Sequence, residues 1–380
     1  MLARLREKHF ERWIPGYLRH LAKTSLGGAK VPGTRHLLFA FCDHYEPLWA
    51  GSTGKADIET GQRRVDQWHE LYPRLADRYT DADGRHPQHS FFFPGEEYHP
   101  GFFDKLEDLV RRGYGEVELH LHHQDDTEAS LEAKIRDAVE IYAERGHFSR
   151  AADGSPRYAF IHGNWALANG RPDGRQCGVD AELPLLFRTG CYADMTFPSC
   201  PDVTQPQRVN EIYWPVGDLK RKRAYENGLP AQVGHSLSDR LLMITGPLSL
   251  AYDPRRRRPR LEYGAVTADD PANSSRIKTW VDANIHVAGR PEWVFVKVYT
   301  HGAPDRQADS LLGAGGHALH RALAQFNDGE HWKLHYVTAR EMYNVAQAAM
   351  AGRSGDAGEF RDFACPPPPI RAEALRSAAE

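Results

Sequence analysis

The chain has no Cys-x-x-Cys pair: its five cysteines, Cys42, Cys177, Cys191, Cys200 and Cys365, are scattered through 380 residues. That spacing excludes the common zinc-ribbon and thioredoxin-type arrangements and fits a reducing compartment better than a disulfide framework, so a cytoplasmic location is expected. No stretch approaches the roughly 20 apolar residues that a membrane helix needs. Apolar positions between Leu2 and Leu26 are interrupted by Arg4, Arg6, Glu7, Lys8, Glu11, Arg12 and Arg19, which breaks any signal-peptide core and leaves an amphipathic segment with a face for a membrane surface or another subunit. A formal net charge of -3 argues against wholesale binding to nucleic-acid phosphates. The one dense basic run, Arg255 to Arg258 with Arg260, lies around Pro259 and reads as a solvated loop. There is no Walker Gly-x-x-x-x-Gly-Lys-Ser/Thr, no His-Glu-x-x-His and no Gly-x-Gly-x-x-Gly after a strand. Gly234-His235-Ser236-Leu237-Ser238 follows a nucleophile elbow only until its fifth place, where serine replaces glycine.

What is present is enough apolar sequence, 41% of residues, to bury a large core. Short apolar runs with no helical spacing alternate with amphipathic ones. The expected strands are His36 to Cys42, Ser90 to Phe93, Val117 to His122, Tyr158 to Ile161, Tyr192 to Phe197, Leu241 to Thr245, Trp293 to Thr300 and Lys333 to Val337. Helices are expected from Thr60 to Tyr79, Phe103 to Arg112, Glu128 to Arg145 with Thr127 as N-cap, Ala181 to Arg188, Ser274 to Ile285, Gly316 to Phe326 and Ala339 to Met350. Such alternation predicts an α/β fold with a parallel sheet, and its repetition predicts a distorted (β/α)7-type barrel. The expected organisation is an N-terminal helical extension over 1–35, a barrel domain over 36–351 and a Pro-rich, flexible tail over 352–380. Polar clusters fall at the C-terminal ends of the strands, where β/α barrels keep their chemistry: Asp43-His44, Glu96-Glu97, His120-His122, His162-Asn164, Asp194 and His301.

The stretch Glu116 to Thr127 is the most informative. Val117, Leu119 and Leu121 alternate with Glu118, His120 and His122, so one strand face collects a carboxylate and two imidazoles. Such groups gather where they coordinate a metal or move protons. Asp43 and His120, at two strand ends, are the natural first pair of ligands. A strand that persists brings His122 in as the second imidazole, whereas an earlier turn brings His123. His301, ahead of Gly302, suits a proton donor to a leaving group, with the glycine expected to let substrate approach the backbone. Trp165 and Asn164 suit a sugar ring and its hydroxyls. Glu97, His123, His162 and Asp194 complete the expected substrate-binding set.

The order of these motifs resembles the NodB-like polysaccharide deacetylases, metal-dependent carbohydrate esterases on a distorted seven-stranded β/α barrel. The resemblance is carried by Asp43, by Glu118-Leu119-His120-Leu121-His122, by Gly190 to Pro198 and by Thr300-His301. It implies Asp43 and His120 as ligands, His301 as the acid, a divalent ion (Zn2+, with Mn2+, Co2+ or Ni2+ as options) and an N-acetylated carbohydrate of a surface or extracellular polysaccharide, or its precursor, as substrate. The His-Leu-His spelling also occurs in members related to surface-polysaccharide synthesis, in keeping with His122. Two positions depart from the pattern: Cys42 stands where the family has its base, and Gln124 where it has its second motif histidine. Glu46 or His44 is then the expected base. Two alternatives remain at this stage, a glycoside hydrolase using Asp43 and Asp194, and a catalytically silent carbohydrate-binding protein of a polysaccharide assembly system.

Overall fold

The computed structural model describes residues 8–26, 31, 33–51, 54–254 and 257–377. Its centre is a large, mostly parallel sheet. In chain order the strands are β1 (Arg35–His44), β2 (His89–Pro94), β3 (Gly115–Leu121), β4 (Pro156–His162), β5 (Cys191–Asp194), β6 (Ile212–Pro215), β7 (Gly228–Pro230), β8 (Leu242–Ile244), β9 (Ser249–Asp253), β10 (Arg258–Glu262), β11 (Trp293–Thr300) and β12 (Trp332–Tyr336). Across the sheet they run β11-β1-β2-β3-β4-β5-β8-β6-β7, while β12 pairs β1. β1 is shared unequally: β11 follows one edge from His36 to Asp43, while the other edge takes β12 along Arg35 to Phe39 and β2 along Phe41 to His44. β6 and β7 run against their neighbours within this sheet, as does the two-residue strand Ser149–Arg150 beside β4. No ladder among the described residues closes β11 onto the far edge.

The helices are α1 (Phe10–Leu26), α2 (Ile58–Ala76), α3 (Pro100–Arg111), α4 (Glu128–Glu144), α5 (Glu182–Arg188), α6 (Ser274–Asp282), α7 (Asp305–Leu311), α8 (Ala314–Leu323), α9 (Ala339–Met350) and α10 (Pro369–Ser377), all but α7 and α10 lying where the amphipathic spacing predicts them. Thr127 caps α4 as expected, its side chain accepting from the Ser130 amide. The odd-numbered face of β1, Leu37, Phe39 and Phe41, packs with Val65 and Trp68 of α2 and Phe102 and Phe103 of α3. Its even-numbered face, Leu38, Ala40 and Cys42, packs with Met342, Val345 and Ala346 of α9. Both faces of the central strands are therefore buried, which is why their sequences read as continuous apolar runs.

Three features differ from the sequence reading. The short strands β6, β7, β9 and β10 were not foreseen, because a strand of three to five residues is too short to show a period. Of the basic run, Arg255 and Arg256 lie outside the described residues, but Arg258 and Arg260 belong to β10, and Arg260 pairs with Asp270 at 2.6 Å. The expected flexible tail is built into the fold up to α10: Ile370 joins the core, and Arg361 is buried against Asp81 and Glu341 at 2.9 and 3.1 Å. Proline spacing suggested a tail, but prolines equally direct a chain across a surface. The N-terminal segment forms α1, which seats Trp13 and Tyr17 on Cys200, Val209 and Leu248 and leaves Leu18 and Leu21 exposed. No helix among the described residues is long and apolar enough to cross a membrane.

A buried ion pair fastens the C-terminal stretch to the sheet. Arg340 donates to Glu116 from Nε (3.0 Å) and Nη2 (2.8 Å), and its Nη1 reaches the Cys365 carbonyl at 2.7 Å. Substituting Arg340→Met should cost about 3–5 kcal/mol, because Glu116 is left buried with its principal counter-charge gone; Glu116→Gln in the same chain should recover part of the loss, read by urea denaturation. A second outcome concerns acid. Burial, reinforced by the Arg145 and Arg111 charges, lowers the His147 imidazole to about 3. An unfolded chain takes up that proton near pH 6.5 and the folded one does not, so stability falls as pH drops from 6.5 towards 3. His147→Leu should reduce proton uptake on unfolding at pH 5 by about one proton.

Candidate metal centre

The inward face of β3 carries Glu116, Glu118 and His120 in succession, and each is satisfied differently. Glu118 accepts from the Ala159 amide at 2.6 Å and the Tyr192 hydroxyl at 2.5 Å, deep in the core, and burial raises it to about 8. His120 donates from Nδ1 to the Ile161 carbonyl at 2.9 Å. A carbonyl only accepts, so the Nδ1 proton fixes the tautomer and leaves a lone pair on Nε2. That Nε2 is buried and makes no hydrogen bond. It faces Glu46 Oε1 at 3.5 Å, and His122 Nε2 faces the same oxygen at 2.9 Å. Glu46, His120 and His122 thus offer three ligand atoms in one small volume.

The surroundings hold these groups in place. His122 Nδ1 lies 2.6 Å from Glu96 Oε1, an arrangement in which a carboxylate orients a ligand imidazole. Gly163 leaves room for the His122 ring, since a Cβ there would lie 2.3 Å from it. His301 Nδ1 bonds Glu46 Oε2 at 2.6 Å. The His44 ring sits between His120 and His301, 4.8 and 4.7 Å from their centroids. Trp49 stacks 4.8 Å from His301, and Trp165, held at φ 55, stands 6.5 Å from it. Burial alone would raise Glu46, but the imidazoles of His120, His122 and His301 hold it well below the usual carboxylate range. Burial likewise opposes charge on His122, yet Glu46 and Glu96 push it up to about 10. His44 goes the other way, lowered by burial and by its neighbours His301 and His120.

The expected ligand Asp43 is not in this cluster. Neighbouring strand residues point to opposite faces, so His44 looks into the mouth while Asp43 looks behind it. There it accepts from the Gly302 amide at 2.6 Å and meets His89 Nε2 at 2.9 Å. Glu46, just past the strand end, is the carboxylate that lies in this cluster, its two oxygens facing His122 and His301. Gly302 correspondingly makes room for Asp43 rather than for substrate: a Cβ there would sit 2.0 Å from Asp43 Oδ2. Cys42, at the position of the family's base, is buried beside Met195, and burial pushes its thiol up to about 12.

His123 lies in a separate buried group, 3.1 Å from Glu182 Oε1 and 3.3 Å from Asp126. His162 joins it, ring to ring at 4.5 Å. Its Nδ1 accepts the Asn164 amide at 3.1 Å, which places the proton of a neutral ring on Nε2 and removes the lone pair a metal would need there. Of the two candidates His122 and His123, His122 is the one that stands beside His120 and Glu46. Asp194 is used by Thr196, from its amide at 3.0 Å and hydroxyl at 2.8 Å, and burial raises it to about 7. Glu97 accepts the Leu48 amide at 3.3 Å and pairs with Lys55. Asn164 contributes its backbone, and Trp165 flanks the mouth. Trp49 and Glu182 carry no signal in the sequence, and Glu96 stands out there only as half of the strand-end pair Glu96-Glu97.

A scan against protein-family models gives no match for this chain, and a search of curated proteins gives none either. Side-chain geometry is therefore the ground for a functional reading. Substituting Glu96→Gln should weaken divalent-metal affinity about 10–100-fold while leaving the thermal midpoint of the metal-free chain nearly unchanged, measured by competition with a chelator.

Proposed function

We propose that Glu46, His120 and His122 hold a divalent cation of the zinc class and that the protein is a metal-dependent hydrolase, with an N-acetylated sugar as its substrate class. The observation that carries the reading is the buried, unpartnered His120 Nε2, its tautomer set from behind, aimed at a carboxylate that a second imidazole shares. Two imidazoles and one carboxylate are a common catalytic donor set for such ions. When bound, the cation would acidify a water and polarise an acyl carbonyl.

The remaining roles follow from the side chains. His301 bonds Glu46 through Nδ1, leaving Nε2 at the partly exposed edge of the cluster to take a proton from the attacking water and return it to the departing nitrogen. Asp43 steadies that histidine by holding the next amide. His44, buried with a lowered affinity for protons, packs between the two working imidazoles and is a poor base. Trp49 and Trp165 supply aromatic faces of the kind that pack on sugar rings. The resemblance to the deacetylases now stands on His120, His122 and His301 rather than on Asp43. It also favours reading the sheet as an opened barrel. Tyr299 exchanges backbone bonds with Gly264 and Val266, and Lys297 Nζ donates to the Met195 and Phe197 carbonyls at 2.5 and 2.7 Å, ties that span the side where a ladder would close.

The glycoside-hydrolase alternative loses its residues, since Asp43 and Asp194 are both committed to neighbouring backbone. With zinc, manganese, cobalt or nickel supplied, the chain should release acetate from N-acetylated oligosaccharides, and His120→Ala should lower the rate at least about 100-fold. Stoichiometric metal without acetate release, together with retained sugar binding, would instead mark a silent binding protein. Failure of the native chain to bind metal would overturn the hydrolase reading.

A further inference from the structure

A second set of metal-ligand atoms lies at the start of the sheet. His36 is the second residue of β1, His335 lies in β12, and Asp356 follows α9. His36 and His44 are eight residue steps apart along β1, about 26 Å of extended chain, so this cluster is distinct from the one at the strand mouth. His36 Nδ1 and His335 Nε2 are 2.9 Å apart. Asp356 Oδ1 stands 3.7 Å from the first and 3.6 Å from the second.

Those distances are instructive. The carboxylate oxygen is beyond hydrogen-bond reach of either ring, yet almost equally far from both. A tetrahedral ion with bonds of about 2.0–2.1 Å requires ligand atoms roughly 3.3 Å apart, and the three observed edges bracket that value. The tautomer of His335 is also set. Its Nδ1 lies 2.8 Å from Asp83 Oδ2, and an ionised carboxylate accepts only, so Nδ1 carries the proton and Nε2 presents a lone pair. A carboxylate behind a ligand imidazole is the usual support of a zinc-bound histidine. Both rings are buried and nearly parallel, with an interplanar angle of 14°.

We propose that His36, His335 and Asp356 form a structural site for a zinc-class divalent cation, which staples the stretch after α9 to the first and last strands of the chain. Without the ion, His36 Nδ1 donates to His335 Nε2 and the cluster is a hydrogen-bonded relay. On loading, the His36 proton moves to Nε2, and both rings offer lone pairs to the ion. Asp356 supplies the negative charge while Lys333, 2.6 Å from its other oxygen, keeps the carboxylate oriented.

The test uses the full chain carrying His120→Ala and His122→Ala, which silences the strand-mouth cluster, with Zn2+ alone as probe. One equivalent of zinc should survive dialysis, and its removal by chelator should lower the thermal midpoint by about 5 °C. Adding Asp356→Asn should weaken zinc binding at least about tenfold, and His36→Gln should do the same. Asp356 is only partly buried and its amide replacement still accepts the Gly358 N–H, so this variant decides the matter should His36→Gln fail to fold. No tightly held zinc in the parent variant, or an equivalent whose affinity both added substitutions leave unchanged, would overturn the proposal.

Discussion

A strand buried on both faces that carries Glu116, Glu118 and His120 inward must find a polar partner for each, because an unpaired charge or imidazole in the core costs several kcal/mol. Much of the architecture follows from meeting that demand. Glu116 is answered by Arg340 and by the Thr338 hydroxyl that caps α9, which draws the last long helix onto the sheet. Glu118 is answered by Tyr192 and the β4 backbone. His120 is half answered, by Ile161, and its other nitrogen is left for the cluster at the mouth. Of the three positions, His120 is the one that leaves ligand capacity unused.

Period and length explain what could be read from sequence. β1 and β11 were legible because each is a long, nearly unbroken apolar run, β3 because apolar and polar residues alternate along it, and α4 because Thr127 caps a stripe of apolar residues. The candidate site was legible as a region but not as a ligand list. His120, His122 and His301 were named from their strand-end positions and do converge. Asp43 was named by the same rule and does not, because a strand end presents adjacent residues to opposite sides and the rule is silent about which side is inward. Glu46 was weighed as a base rather than a ligand. Its place beyond the last paired residue frees it from strand alternation, so no periodicity predicts its direction.

Charge tells the same story at the opposite end of the sheet. His36 and His335 are 299 positions apart and sit in apolar strands, where single histidines read as ordinary core residues. Their meeting is a consequence of β12 pairing with the first half of β1, a parallel alignment that nothing local encodes. The C-terminal stretch was misjudged for a related reason. Its prolines and short polar residues resemble a linker, while the groups that hold it, Arg340, Glu341 and Asp81, lie in other parts of the chain.

The close approach of Asp43 to the backbone at Gly302 has an evolutionary corollary. No side chain larger than hydrogen fits at position 302 while the Asp43 carboxylate lies between the amide there and His89. The two positions are accordingly expected to drift as a couple in descendants of this sequence. A lineage that acquired alanine at 302 would first have to shorten or lose the acid at 43, and with it the restraint on the neighbouring histidine.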